Sequence, residues 1–123
     1  MSRFHSALAI AEISKGRWRL LADLHYESDI GGDIMVPDGF ETDLASVPRL
    51  PLAYMLTGGK ANAAAVVHDY LYASRQFPRS KADAIFYEAI RASGHGWFTA
   101  NLMWLGVRLG GGFAWGSKGD ATF

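Results

Sequence analysis

The chain contains no cysteine. Disulfide staples and thiolate zinc sites are therefore excluded, and the composition fits a reducing compartment or a particle assembled in one. Net charge is also missing, because twelve Lys and Arg balance twelve Asp and Glu. Nothing basic is left over to seek the phosphate backbone of nucleic acid. Zero net charge gives little colloidal repulsion, which suits a protein in standing contact with a partner. Long apolar runs are absent as well. The longest apolar stretch, Trp97 to Val107, is about half of the roughly 20 residues needed to span a bilayer, so no transmembrane segment is expected. The N-terminal Met1-Ser2-Arg3-Phe4-His5 leads only into Ala7 to Ile10, an apolar run broken by Glu12, which is not the pattern of a secretory signal.

What is present suits one domain. Half of the 123 residues are hydrophobic, enough to bury a core without staples. We expect one domain over residues 1–123, mainly β over 1–42 and mainly α over 43–123. The class is α+β, a small N-terminal antiparallel sheet followed by three to four helices. Arg17 to Tyr26 is rich in strand formers and partly alternates, Gly31-Gly32 signals a turn, and Asp33 to Val36 reads as the returning strand. Pro37-Asp38-Gly39 is a further turn. A short helix is expected over Leu50 to Leu56, closed by Gly58-Gly59. Longer helices are expected over Lys60 to Ala73, Lys81 to Ala92 and Trp97 to Leu109. Ser80 is placed as the N-cap of the second, with Asp83 at its third position. The tail from Phe113 to Phe123 shows no clear pattern.

The helix expected over Lys60 to Ala73 is apolar on almost every side, which marks a buried helix. Yet it carries His68 and Asp69 side by side. A carboxylate buried without a partner costs several kcal/mol, so this pair requires polar company. Asp83 shares a helical face with Phe86, Tyr87 and Ile90, an equally anomalous setting. A short antiparallel connection over Ser74 to Ser80 would bring it to His68. Such a contact would make a His–Asp dyad, with one imidazole nitrogen held and the other basic. Asp43, the Leu44 carbonyl and Asp69 form a set of oxygen donors suited to a hard cation such as calcium; no other cofactor is expected.

Each feature also has a structural reading. His68 can be satisfied by a carbonyl, Asp83 can be a helix N-terminal charge, and Asp43 can fold back on its own turn. Arg49, Arg75 and Arg79 can tie the aspartates into an ion-pair network. Ser46 reads as a cap rather than a nucleophile, lacking a Gly-x-Ser-x-Gly setting. Gly58-Gly59-Lys60 lacks the rest of a phosphate loop.

Two blocks carry a family resemblance. They are Val36-Pro37-Asp38-Gly39-Phe40-Glu41-Thr42-Asp43-Leu44-Ala45-Ser46-Val47-Pro48-Arg49 and Ala64-Ala65-Val66-Val67-His68-Asp69-Tyr70-Leu71-Tyr72, with Arg79, Ala82-Asp83 and Phe86 beyond them. Through these the whole chain resembles a phage and prophage family known as domain-of-unknown-function family 1353. That resemblance implies a phage-encoded protein of the virion or the host cytoplasm, a tail or other assembly component with phage structural proteins as partners. Locally, His68-Asp69-x-x-Tyr72 resembles the His-Asp helix of the phospholipase A2 superfamily. This likeness implies that His68 activates water, that Tyr72 and Asp83 support it, and that Asp69, Asp43 and the Leu44 carbonyl bind calcium. The substrate would be a lipid or another cell-envelope ester or amide, attacked during host entry or lysis. The chain departs from that superfamily in lacking its disulfides, in placing Leu44 or Ala45 where the loop has glycine, and in its N-terminal sheet. A small host-directed regulator is a third class, which no sequence feature singles out.

Overall fold

Alternation builds the first half of the molecule. In Leu24-His25-Tyr26-Glu27-Ser28 the first, third and fifth side chains are buried, and in the facing strand Ile34 and Val36 are buried while Asp33 and Met35 are exposed. That period of two gives each strand one core face and one solvent face. The computed structural model describes residues 2–43, 62–112 and 115–116. Its strands are β1 (Arg3–Phe4), β2 (Ile10–Ser14), β3 (Arg17–Leu20), β4 (Leu24–Ser28), β5 (Gly32–Val36) and β6 (Glu41–Thr42). Its helices are α1 (Asn62–Ser74), α2 (Arg79–Ala92) and α3 (Trp97–Gly110).

The class expected from the sequence, α+β with the sheet first, is observed. The strands form two antiparallel three-stranded sheets, ordered β1-β4-β5 and β2-β3-β6. The expected strand over Arg17 to Tyr26 is in fact two. Leu20 and Leu24 are each about 1% exposed, whereas Leu21 between them is 58% exposed. The three residues between the two buried leucines are all exposed and outside any strand, so the chain turns a corner at 21–23 and passes from one sheet to the other. Leu20 N–H donates to the Phe40 carbonyl and Leu21 N–H to that of Ala9, closing this corner. The returning strand β5 pairs with β4 in the register Tyr26↔Ile34 and Leu24↔Val36. In the turn between them, Ser28 Oγ accepts from the amides of Ile30 and Gly31. A side chain at Gly31 would come within 3.0 Å of Ile85 and Phe77, so glycine there lets the turn lie against α2.

The helices cover the sheets. Helix α1 lies on β5 and β6, and α2 lies on β1 and β4 while packing against both other helices. Val66, Val67, Leu71, Ile85, Phe86 and Ile90 are sealed among Leu20, Leu24, Tyr26 and Ile34 in one core cluster. Helix α1 is buried on most of its circumference, as its all-round apolar character requires. The start of α2 differs from the sequence expectation: Pro78, not Ser80, occupies the N-cap position. The Pro78 carbonyl accepts from the amides of Lys81 and Ala82, and its ring fixes φ where a helix can begin. The helix therefore begins at Arg79, and Asp83 sits more than a turn inside it rather than in its first turn. The helix expected over Leu50 to Leu56, the Gly58-Gly59 stop, and the tail residues Phe113 and Phe123 lie outside the described residues.

The core assignment makes a paired prediction on a single strand. Ile34→Ala is expected to lower the unfolding free energy by about 2–5 kcal/mol. Met35→Ala, one residue along and 46% exposed, should stay within about 0.5 kcal/mol of the parent. Urea midpoints at constant slope check both.

Candidate functional site

Helix α1 presents His68 and, one turn on, Tyr72 toward α2. The short link between the helices reverses the chain through Arg75, which takes a positive φ of 56°. Asp83 of α2 thereby meets both side chains. Its Oδ1 lies 2.6 Å from His68 Nε2 and accepts the Tyr72 hydroxyl at 2.6 Å. Its Oδ2 accepts from Arg108 Nη1 of α3 at 2.8 Å, with Arg79 Nε 4.0 Å away. His68, Tyr72 and Asp83 are 0% exposed. All three helices thus converge on one carboxylate.

The surrounding groups hold these side chains in place. Arg79 donates to the Tyr72 hydroxyl at 3.2 Å and to the carbonyls of Val107 and Arg108 at 2.9 and 2.8 Å, so it also satisfies the C-terminal end of α3. The His68 ring packs on Tyr72 and Phe86, and Tyr72 meets the edge of Trp115. Arg75 stacks on Trp115 at 4.0 Å and donates to its carbonyl. Gly111 completes the wall, because a side chain there would clash with the Val107 carbonyl and come within 2.7 Å of the Tyr72 hydroxyl.

Electrostatics follows from this geometry. Burial pushes the Asp83 pKa upward, but hydrogen bonds from His68, Tyr72 and Arg108 outweigh it and hold the carboxyl below its ordinary range. Burial also dominates at His68 and lowers its pKa, despite the nearby carboxylate. The positive charge of Arg79 adds to that lowering. The resting pair is therefore a neutral imidazole beside an ionised Asp83. An ionised carboxylate only accepts, so Nε2 carries the proton and Nδ1 is the basic nitrogen. Burial raises the Tyr72 phenol, as does its bond to Asp83, so it remains a donor.

The second expected cluster is described in part. Asp69 is buried, and its Oδ2 accepts from the Thr42 hydroxyl at the end of β6. Asp43 follows directly and is half-buried. Leu44, whose carbonyl was the third expected ligand, lies outside the described residues, as do Ser46 and Arg49. Among the described residues, no group of three or more His, Asp or Glu side chains is arranged to hold a metal ion. The structure thus brings together His68, Tyr72 and Asp83, and separately joins Asp69 to β6. Of the arginines considered from the sequence, Arg79 reaches the site and Arg75 braces Trp115.

The sequence match can be set on this frame. Residues 18–107 match the family described as "Protein of unknown function (DUF1353)". The chain belongs to that family. The span that defines this DUF1353 protein as such runs from within β3 into the last turn of α3 and includes His68, Asp69, Tyr72, Arg79 and Asp83. Arg108 lies one residue beyond it. No curated protein and no solved structure matches the chain. Among the described residues, no helix is long and apolar enough to cross a membrane.

Arg108 and Thr42 were not anticipated from sequence. Arg108 is the sole charged residue of α3, WFTANLMWLGVRLG. A lone charge in an apolar helix is the same anomaly that exposed Asp83, and it marked Arg108 equally. Thr42 carries no comparable signal, because threonine is ordinary in a strand.

Two predictions concern this network. Arg108→Met is expected to cost roughly 1.5–3 kcal/mol, the scale of a hydrogen bond to a charged group, as measured by chemical denaturation. The second concerns pH. The folded pKa of His68 lies below its unfolded value of about 6.5, so in acid the unfolded chain binds the extra proton. The contribution of His68 is full above that value and declines as pH falls below it. Asp83, lowered from 3.8, adds a loss of the same sign at lower pH. Melting temperature should therefore fall from pH 7 to 5, and His68→Gln should flatten that slope; equal slopes in both proteins would contradict the assignment.

Proposed function

We propose that the chain is a phage-encoded hydrolase of the phospholipase A2 kind, with His68 as the base that activates water. One observation carries this reading: Asp83 Oδ1 is shared by His68 Nε2 and the Tyr72 hydroxyl, each at 2.6 Å. The local likeness centred on the His68-Asp69-x-x-Tyr72 motif of α1 and implied support from Asp83, which belongs to a second helix, α2. A carboxylate in that place fixes the tautomer with Nδ1 basic and stabilises the imidazolium formed during proton transfer. Lowering of the His68 pKa keeps the ring in its proton-accepting form at neutral pH. Tyr72 and Arg79 act as positioning residues, holding Asp83 and, through it, the plane of the imidazole.

Asp69, Asp43 and the Leu44 carbonyl are the calcium ligands in this reading. Carboxylate and carbonyl oxygens are the donors that ion takes, although Asp69 already accepts from Thr42. Calcium, when bound, would supply positive charge for the developing oxyanion. Because the His68 ring is buried, the reading also requires that substrate binding uncovers it.

A second reading, an assembly component of the phage particle, is favoured by the surface of α3. There Trp97, Phe98 and Leu109 are 65%, 59% and 79% exposed. Exposed apolar groups of this size suit a protein contact. Mass spectrometry of purified particles tests that reading. The two are compatible if the particle carries the enzyme.

For the hydrolase, the measurement is fatty-acid release from phosphatidylglycerol–phosphatidylethanolamine vesicles in calcium or EDTA. We expect calcium-dependent release, a calcium-dependent rise in melting temperature, and a loss of about 10²–10⁴-fold in His68→Asn. Tyr72→Phe should lose far less. A folded parent protein that releases nothing in calcium would refute the proposal.

A further inference from the structure

We infer that the exposed face of the β1-β4-β5 sheet binds copper(I) through His5, His25 and Met35. The three residues form one cross-strand row. Met35 of β5 pairs with His25 of β4. On the other side, the His5 amide donates to the His25 carbonyl at 2.9 Å, which continues the β1–β4 register of Arg3↔Glu27 and Phe4↔Tyr26 by one residue. Alternation turns this row away from the core, because the adjacent row of Phe4, Tyr26 and Ile34 packs inward. The His5 and His25 side chains are 30% and 29% exposed, and Met35 is 46% exposed. An ion can therefore reach all three from solvent.

The imidazoles are already held as ligands would be. Their rings stack with centroids 4.6 Å apart and planes 28° from parallel. His5 Nε2 lies 2.7 Å from Glu27 Oε1, and His25 Nε2 lies 3.0 Å from Asp33 Oδ1. An ionised carboxylate only accepts, so Nε2 carries the proton on each ring. Each Nδ1 is then the lone-pair nitrogen of the neutral ring, and neither makes a hydrogen bond among the described residues. A carboxylate behind the imidazole is the common support of a metal-bound histidine. Neighbouring strands lie about 4.8 Å apart, so β1 and β5 flank His25 at about that spacing. An imidazole from one side and a thioether from the other can turn inward to an ion held by His25.

Donor type selects the ion. Calcium takes oxygen ligands, and zinc takes cysteine, histidine and carboxylate rather than thioether. Two imidazoles and a thioether make a soft set of three donors, which favours copper(I). Zinc could use the two imidazoles alone and would leave Met35 untouched, so the thioether distinguishes the two ions. The row faces solvent while the helices cover the other face of the sheet, and it shares no side chain with the His68 network.

The test is titration of the full chain with copper(I), kept reduced by ascorbate under nitrogen, with ferrozine as the competing chelator. The Met35 ε-methyl resonance in carbon-resolved spectra reports ligation. We expect one copper(I) per chain to be withdrawn from ferrozine, with that methyl shifted. Met35→Leu should weaken copper(I) binding by about tenfold or more and leave any zinc(II) binding unchanged. His25→Ala should abolish uptake, and Asp33→Ala should weaken it about 10- to 100-fold. These side chains lie on the solvent face, so the metal-free variants should melt like the parent. His68→Asn should bind like the parent, which separates this site from the hydrolase reading. No uptake by the parent, equal copper(I) affinity in Met35→Leu, or a zinc(II)-induced shift of the Met35 methyl matching that of copper(I) would overturn the inference.

Discussion

The structure depends on one buried carboxylate. Removing an ion such as Asp83 from water costs several kcal/mol even after the protein relaxes. The cost is offset only if the lone pairs are filled by good donors, and here they come from different elements. His68 and Tyr72 arrive on α1 and Arg108 on α3, while the Arg79 guanidinium of α2 stands 4.0 Å away as a nearby charge. Withdrawing any one helix would strand the charge. Apolar packing between helices is tolerant of small rotations, whereas a bond of 2.6 Å from an imidazole to a carboxylate is not. The carboxylate therefore fixes the rotation of three helices that their alanine, valine and leucine faces alone would leave looser. Arg79 extends this control to the C-terminal end of α3 by taking up its last carbonyls.

The fold was legible wherever the physical signal was local. Alternation through Leu24 to Ser28 and Asp33 to Val36 set the core face of β4 and β5. Gly110, Gly111 and Gly112 marked the end of α3. The corner at 21–23 was not legible, because Leu21 and Ala22 have no turn chemistry; the bend exists because β3 and β4 pair with different partners. Pro78 misled for a related reason. A Ser three residues ahead of an acidic residue resembles a capping pair, but the constrained proline supplies a helix start with no side-chain cap.

The site was legible as a contradiction. His68 and Asp69 on a helix apolar all round, and Asp83 on an apolar stripe, each demanded a polar partner, and a short antiparallel link made one arrangement cheap. That reasoning reached the pair but not its environment. Arg108 lies 25 residues from Asp83 in sequence, and only the packing of α3 against α2 puts it there. The same holds for Thr42 and Asp69, which belong to a strand and a helix whose contact no local pattern announces.

The structural role of this network and the chemical role proposed for it are coupled rather than competing. A histidine next to an unneutralised carboxylate in a dry interior would be drawn toward the imidazolium form, which cannot accept a proton. Arg108 and Arg79 draw on the charge of Asp83, so the carboxylate orients His68 without fully protonating it. Burial then lowers the imidazole pKa further. Burial, with a smaller contribution from the Arg79 charge, is what keeps the imidazole neutral. A charged His68 would be a second ion in the dry interior, with a desolvation cost of its own. The neutral ring at the centre of three converging helices therefore suits the packing, and it is also the form that the proposed base requires.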